Sequence, residues 1–133
     1  MIKIIYPGFL PDLNRYIKAL NSNRFAGNTM KQKASGDVAT VSKKHRNHVL
    51  LPPFFIHFHW VCKDKKIDKD NIAFAKKFIL DGLQTSEVLP QDNWKGVEGF
   101  KDTFDVDKTN PRIEITIYGS NEKGFEKARE EGQ

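Results

Sequence analysis

The run Phe54 to Cys62, Phe-Phe-Ile-His-Phe-His-Trp-Val-Cys, constrains this chain more than any other segment. Aromatic and β-branched residues dominate it, Pro52-Pro53 closes the region before it, and a charged link, Lys63 to Lys69, follows it, so it reads as a central β-strand. Within it His57 and His59 alternate with Ile56, Phe58 and Trp60, which puts the two histidines on one face and the apolar residues on the other. With no third nitrogen or sulfur ligand in view, the histidines read as half-buried face residues rather than as a metal site.

A central strand needs neighbours, and three further segments supply them. Ile2-Lys3-Ile4-Ile5-Tyr6 is a strand stopped by Pro7-Gly8, Val97 to Val106 reads as an edge strand, and Arg112 to Tyr118 alternates strictly, as a strand with one buried face does. Helices come between. Leu13, Tyr16, Ile17 and Leu20 recur at helical spacing after Pro11, a polar helix covers about residues 23–47, and a third helix runs from Asp70 or Asn71 to about Thr85 on a stripe of Ile72, Ala75, Ile79 and Leu83. The fold class is therefore a small single α/β (α+β) domain: one mixed sheet of about four strands with two to three helices, and a polar tail at 119–133 that is partly frayed. A length of 133 residues suits one domain with a real core.

Charge and cysteine usage bound the function. Residues 1–50 carry nine Lys/Arg against two acids, a balance of +7, so the other 83 residues carry −2 of the total +5. A basic half that meets a polyanion, joined to an acidic half that holds cations, suits an enzyme acting on nucleic acid. Cys62 is the sole cysteine, which excludes a disulfide framework and a cysteine-based zinc site and points to a reducing, cytoplasmic setting. The N-terminus does not read as a signal peptide, and no run approaches the roughly 20 apolar residues that span a bilayer, so no membrane partner is expected.

The chemistry-bearing residues gather around the third helix. Asp68 and Asp70, one residue apart at its mouth, can converge on one hard cation such as Mg²⁺, although one aspartate there also serves as a helix cap. On a regular helical wheel Asp70, Lys77 and Asp81 fall nearly on one line, with Lys76 about 100° away, so Lys77 is favoured over Lys76 as the lysine that sees the acids. An ordinary Lys77–Asp81 pair is the competing reading. Asp92, eleven residues after Asp81, is the chosen third metal carboxylate, and Asp102, Asp105 and Asp107 are spare acids.

Taken together, Asp68-Lys69-Asp70-Asn71, the helix ending Lys77-Phe-Ile-Leu-Asp81-Gly82-Leu83, Asp92 in a loop and the final alternating strand resemble the RusA family of Holliday-junction resolvases over most of the chain. The family signature of Asp-x-Asp-Asn, a helix lysine and a post-helix aspartate falls on Asp68, Asp70, Asn71, Lys77 and Asp92. Phe74 stands where the family lysine commonly lies, and Gln91 where relatives often carry a second loop acid. The family's Asn-Arg stretch matches either Asn14-Arg15 or Asn23-Arg24. The resemblance implies a small, often phage- or prophage-encoded homodimer that cuts four-way DNA junctions with Mg²⁺ or Mn²⁺ in recombination and repair. Asp68, Asp70 and Asp92 would then hold the metal, Lys77 would face developing charge, and Arg15, Arg24, Lys31 and Lys33 would grip phosphates. A junction-binding phage protein without catalysis is the alternative.

Overall fold

Strand β2 (Phe54–Cys62) lies inside the sheet, as its composition requires, with partners on both sides. The computed structural model describes residues 1–48, 50–90 and 95–132. In chain order β1 (Ile2–Pro7), α1 (Leu13–Ser22), α2 (Ala26–Ser42) and a 3₁₀ turn (Lys43–His45) precede β2; then come α3 (Lys69–Ala73), α4 (Lys76–Thr85), β3 (Val97–Val106), β4 (Arg112–Tyr118) and α5 (Lys123–Gly132). The four strands form one mixed sheet in the order β1-β4-β2-β3. β4 runs antiparallel to both its neighbours, while β3 lies parallel to β2 on the edge.

Register explains the two faces. Pairing places Ile2, Ile117, Ile56 and Phe100 in one row; Ile4, Ile115, Phe58 and Asp102 in the next; and Tyr6, Ile113, Trp60 and Phe104 in a third. These rows form the floor of the core, closed by Ala34 and Val38 of α2 and by Phe78, Ile79 and Leu83 of α4. Helices α2 and α4 touch closely at Gly82, where an added Cβ would lie 2.6 Å from both the Ser35 carbonyl oxygen and the Val38 Cβ. Gly82→Ala should therefore push the helices apart and cost about 1–3 kcal/mol, measurable by chemical denaturation. Unchanged stability would mean that the two helices adjust freely.

The other face carries Lys3, Thr116, His57 and Lys101 in one row and Ile5, Glu114, His59 and Thr103 in the next. Helix α5 covers only its Phe55 end, where Phe125 and Ala128 are buried against that ring. The tail expected to fray is thus a helix over Lys123–Gly132, because its small apolar stripe finds Phe55 to cover. Among the described residues five α-helices stand where two or three were expected.

The third helix also departs from expectation. It is two helices, since Ala75, Lys77 and Phe78 donate their backbone N–H groups to the carbonyls three residues back, Ile72, Phe74 and Ala75. Bonds of that span wind the chain more tightly than a regular α-helix, so a 3.6-residue period does not carry straight through the junction. The wheel that aligned Asp70 with Lys77 does not hold across this junction. Lys77 instead faces Asp81, 3.4 Å away, and Asp81 lies 3.8 Å from Lys31 of α2.

Candidate metal and nucleic-acid site

Parallel strands β2 and β3 end side by side, Cys62 opposite Val106, and the chain leaves β2 through the loop 63–68 into α3. The carboxyl ends of parallel strands are where open sheets commonly bind ligands, because the loops there diverge and leave a crevice. Here an open cleft of about 750 Å³ is lined by Asp64, Asp68, Asp70 and Asp105, with Lys65 and Lys69 among them and Cys62, Ile67, Ile72 and Phe104 as its apolar walls.

Asp68 and Asp70 are both exposed, and they differ from the other two acids in what they touch. Asp68 occupies the N-cap position of α3 with extended backbone, φ −65° and ψ 148°, yet its side chain makes no capping bond. Neither its carboxylate nor that of Asp70 has a hydrogen-bond or ion-pair partner among the described residues. By contrast, Asp64 accepts from the Lys66 N–H at 3.0 Å and Asp105 from the Val106 N–H at 2.8 Å. Capping, the competing explanation for aspartates here, is therefore not what the Asp68 side chain does.

Among the described residues no three His, Cys, Asp or Glu side chains form a group able to hold a metal, and Asp92 lies outside those residues. The donor set still fits a hard cation, since Mg²⁺ is commonly held by one or two carboxylates while substrate phosphates and water fill its remaining positions. Asp68 and Asp70 are oxygen donors on one wall of one cleft.

None of Arg15, Arg24, Lys31, Lys33 and Lys77 lines the acid cleft. Lys77 is paired with Asp81 and does not line the acid cleft. Lys33 pairs with Asp37 at 3.0 Å, Lys31 approaches Asp81, Arg24 stacks on Phe25 with 4.7 Å to the ring centre, and Arg15 stacks on Phe9 at 5.1 Å. The lysines around the acids are Lys63, Lys65, Lys66 and Lys69, all exposed. The ammonium groups of Lys63, Lys65 and Lys66 have no partner among the described residues, and that of Lys69 lies 5.5 Å over the Phe104 ring. The lysines and aspartates interleaved over 63–70 carry this signal in the sequence.

Lys76, turned by the helix junction toward β3, has a structural post. Its Nζ donates to Asp102 Oδ2 at 2.6 Å and lies 5.4 and 5.1 Å from the ring centres of Phe58 and Phe100. The Trp60 indole N–H donates to the other Asp102 oxygen at 2.9 Å. Asp102 is thus no spare acid: its register places it on the core face of the edge strand, where it binds helix to sheet.

On the outer face His57 Nε2 and His59 Nδ1 both meet Thr103 Oγ1, at 2.7 and 2.6 Å. One hydroxyl has one proton, so it donates to one ring and accepts from the other. Burial, helped by Lys101 and His59, holds His57 below its ordinary 6.5 against the opposite pull of Asp102 and Glu114. As pH falls the unfolded chain therefore protonates this ring first, and the stability given by the neutral ring, complete above 6.5, is lost as pH drops from there through the lower folded value. His45, lowered chiefly by burial, acts in the same direction. His57→Gln should flatten part of this acid limb in thermal melts, and a slope equal to the parent's would refute the assignment.

No helix among the described residues is long and apolar enough to cross a membrane. Comparison with protein-family models finds no match, and comparison with curated proteins finds none either.

Proposed function

We propose that this chain is a divalent-metal-dependent endonuclease that resolves four-way DNA junctions by phosphodiester hydrolysis, as its RusA-like sequence pattern implies. The observation that carries the reading is the pair Asp68 and Asp70, two exposed carboxylates in one cleft without a bonding partner among the described residues. Four exposed lysines on the same short stretch support it. Free acids beside cations suit a cation-bridged phosphate, since the acids hold the metal and the lysines meet the backbone.

In this reading Asp68 and Asp70, with Asp92, hold Mg²⁺ or Mn²⁺. When bound, such an ion polarises the phosphate, lowers the pKa of a water and takes up charge on the leaving oxygen. Lys65 and Lys69 line the cleft and orient the strand there. Lys77 takes part in stabilising the developing charge only after leaving Asp81, whereas Arg15, exposed on α1, extends the phosphate-binding surface. A homodimer suits the substrate, because a four-way junction is nearly two-fold symmetric and resolution needs two cuts. The setting is the cytoplasm of a bacterial host, on a phage or prophage gene.

The test compares a synthetic four-way junction with a linear duplex of the same sequence, with and without Mg²⁺. Paired cuts near the branch point, in the junction only and with metal only, are expected, and affinity should fall steeply as salt rises. Salt-dependent junction binding without cutting in Mg²⁺ or Mn²⁺ would select the non-catalytic alternative. Absence of both binding and cutting would remove nucleic acid from the reading.

A further inference from the structure

Next to the acid cleft lies a second, smaller and mainly apolar pocket of about 80 Å³, formed where the β1–α1 loop meets the ends of β2 and β4. Its walls include Leu10, Trp60, Val61 and Ile113, and it shares Cys62, Asp64, Ile67 and Ile72 with the cleft. The two hollows are thus neighbours divided by a common wall. Phe9, also on the lining, is 60% exposed.

The ring is part of a built arrangement. Gly8, at φ +83° and with its N–H bonded to the Pro111 carbonyl at 2.9 Å, turns the chain so that Phe9 projects beside α1. Arg15 stacks its guanidinium on that ring, while Asp12 receives the Arg15 backbone N–H at 3.0 Å and lies 3.6 Å from its Nε. Ring and guanidinium are held before any ligand arrives. Lys63 and Arg112 also line the pocket, together with Asp64; Arg112 is paired with Glu114 at 2.8 Å and Asp107 at 3.3 Å, whereas the exposed Lys63 ammonium has no partner among the described residues.

We propose that this pocket receives a single nucleobase, unstacked from the DNA strand whose phosphate is held in the acid cleft; the inference rests on the nuclease reading above. Three observations converge on that occupant. The apolar walls match the flat face of a base and offer little to a sugar-phosphate, the Lys63 ammonium at the lining can meet a backbone phosphate beside that base, and the shared wall keeps the two sites within one strand's reach. Strands near a branch point are the easiest to unstack, so the pocket would favour branched over linear DNA.

The experiment is a cycle between protein and DNA. Abasic sites are introduced one at a time at nucleotides flanking the branch point of a synthetic four-way junction, and binding is measured in Ca²⁺ for the full chain and for Phe9→Ala, with the variant's melting temperature compared with the parent's. For the parent protein one abasic position should weaken binding by about tenfold, the scale of one base stacked on one aromatic ring, and Phe9→Ala should weaken the intact junction similarly. Combined, the two changes should cost no more than either alone. Binding that is indifferent to every abasic position, or penalties that simply multiply in the combination, would overturn the pocket's role and leave the nuclease reading standing. Failure of the parent protein to bind the junction at all would overturn both.

Discussion

Asp70→Asn is expected to reduce Mg²⁺-dependent cleavage of a four-way junction by more than about 100-fold while junction binding persists. Loss of groups that merely support a metal ligand already costs roughly 10–100-fold, so loss of a ligand's charge should exceed that range. The substitution keeps the side chain's size and removes one negative charge from a carboxylate that has no bonding partner among the described residues, so little else should change. Two further readouts separate this from damage to the fold. Mn²⁺ binding, measured by calorimetry, should weaken, and the rise in melting temperature that Mn²⁺ gives the parent protein through linkage should shrink or vanish. Without metal the variant should be at least as stable as the parent, since one of two neighbouring like charges is gone. Unchanged cutting would remove Asp70 from the site.

The sequence exposed the acids of the cleft more readily than its cations. Asp68 and Asp70 are separated only by Lys69, and a single backbone turn suffices to put both on the same hollow. Lys77 is a different case. Its placement depended on carrying a 3.6-residue period from Asp70 through residue 77, and the tightened turns at Ala75, Lys77 and Phe78 break that period. No residue type announces this break: neither proline nor glycine occurs between Asp68 and Asp81. Asp102 was illegible for another reason, since its partners Lys76 and Trp60 are brought to it by strand register and helix rotation, which no local pattern encodes.

The strands, in contrast, were plain to read. Alternation in Arg112–Tyr118 and the aromatic run in Phe54–Cys62 record burial directly, and both strands match their expected bounds. The parallel pairing of β2 with β3 lets both carboxyl ends reach the cleft, and that arrangement is settled by the α3–α4 crossover rather than by either strand's composition. The C-terminal helix was missed because its apolar content is sparse. Phe125 and Ala128 are its only buried residues, too few to outweigh the charges around them until Phe55 is seen waiting on the sheet.

The same helix junction makes Phe78→Ala the most destabilising single change considered, with an expected loss of about 3–5 kcal/mol. A surface-facing Phe78 would be a candidate for a subunit contact, but the ring is only 1% exposed within a single chain. It lies edge-on to Tyr16 at 5.7 Å and to Phe74 at 5.6 Å, joining α1, the α3–α4 junction and the sheet-facing core at one point. Truncation would empty a site that three elements share and would leave α1, which has no fully buried residue of its own, without much of its anchorage. Against a total stability of roughly 5–15 kcal/mol, such a loss should be plain in urea denaturation. If the ring serves the core alone, the folded fraction of Phe78→Ala should keep the parent's sedimentation mass. A variant that keeps its stability but loses mass would instead place Phe78 between two chains.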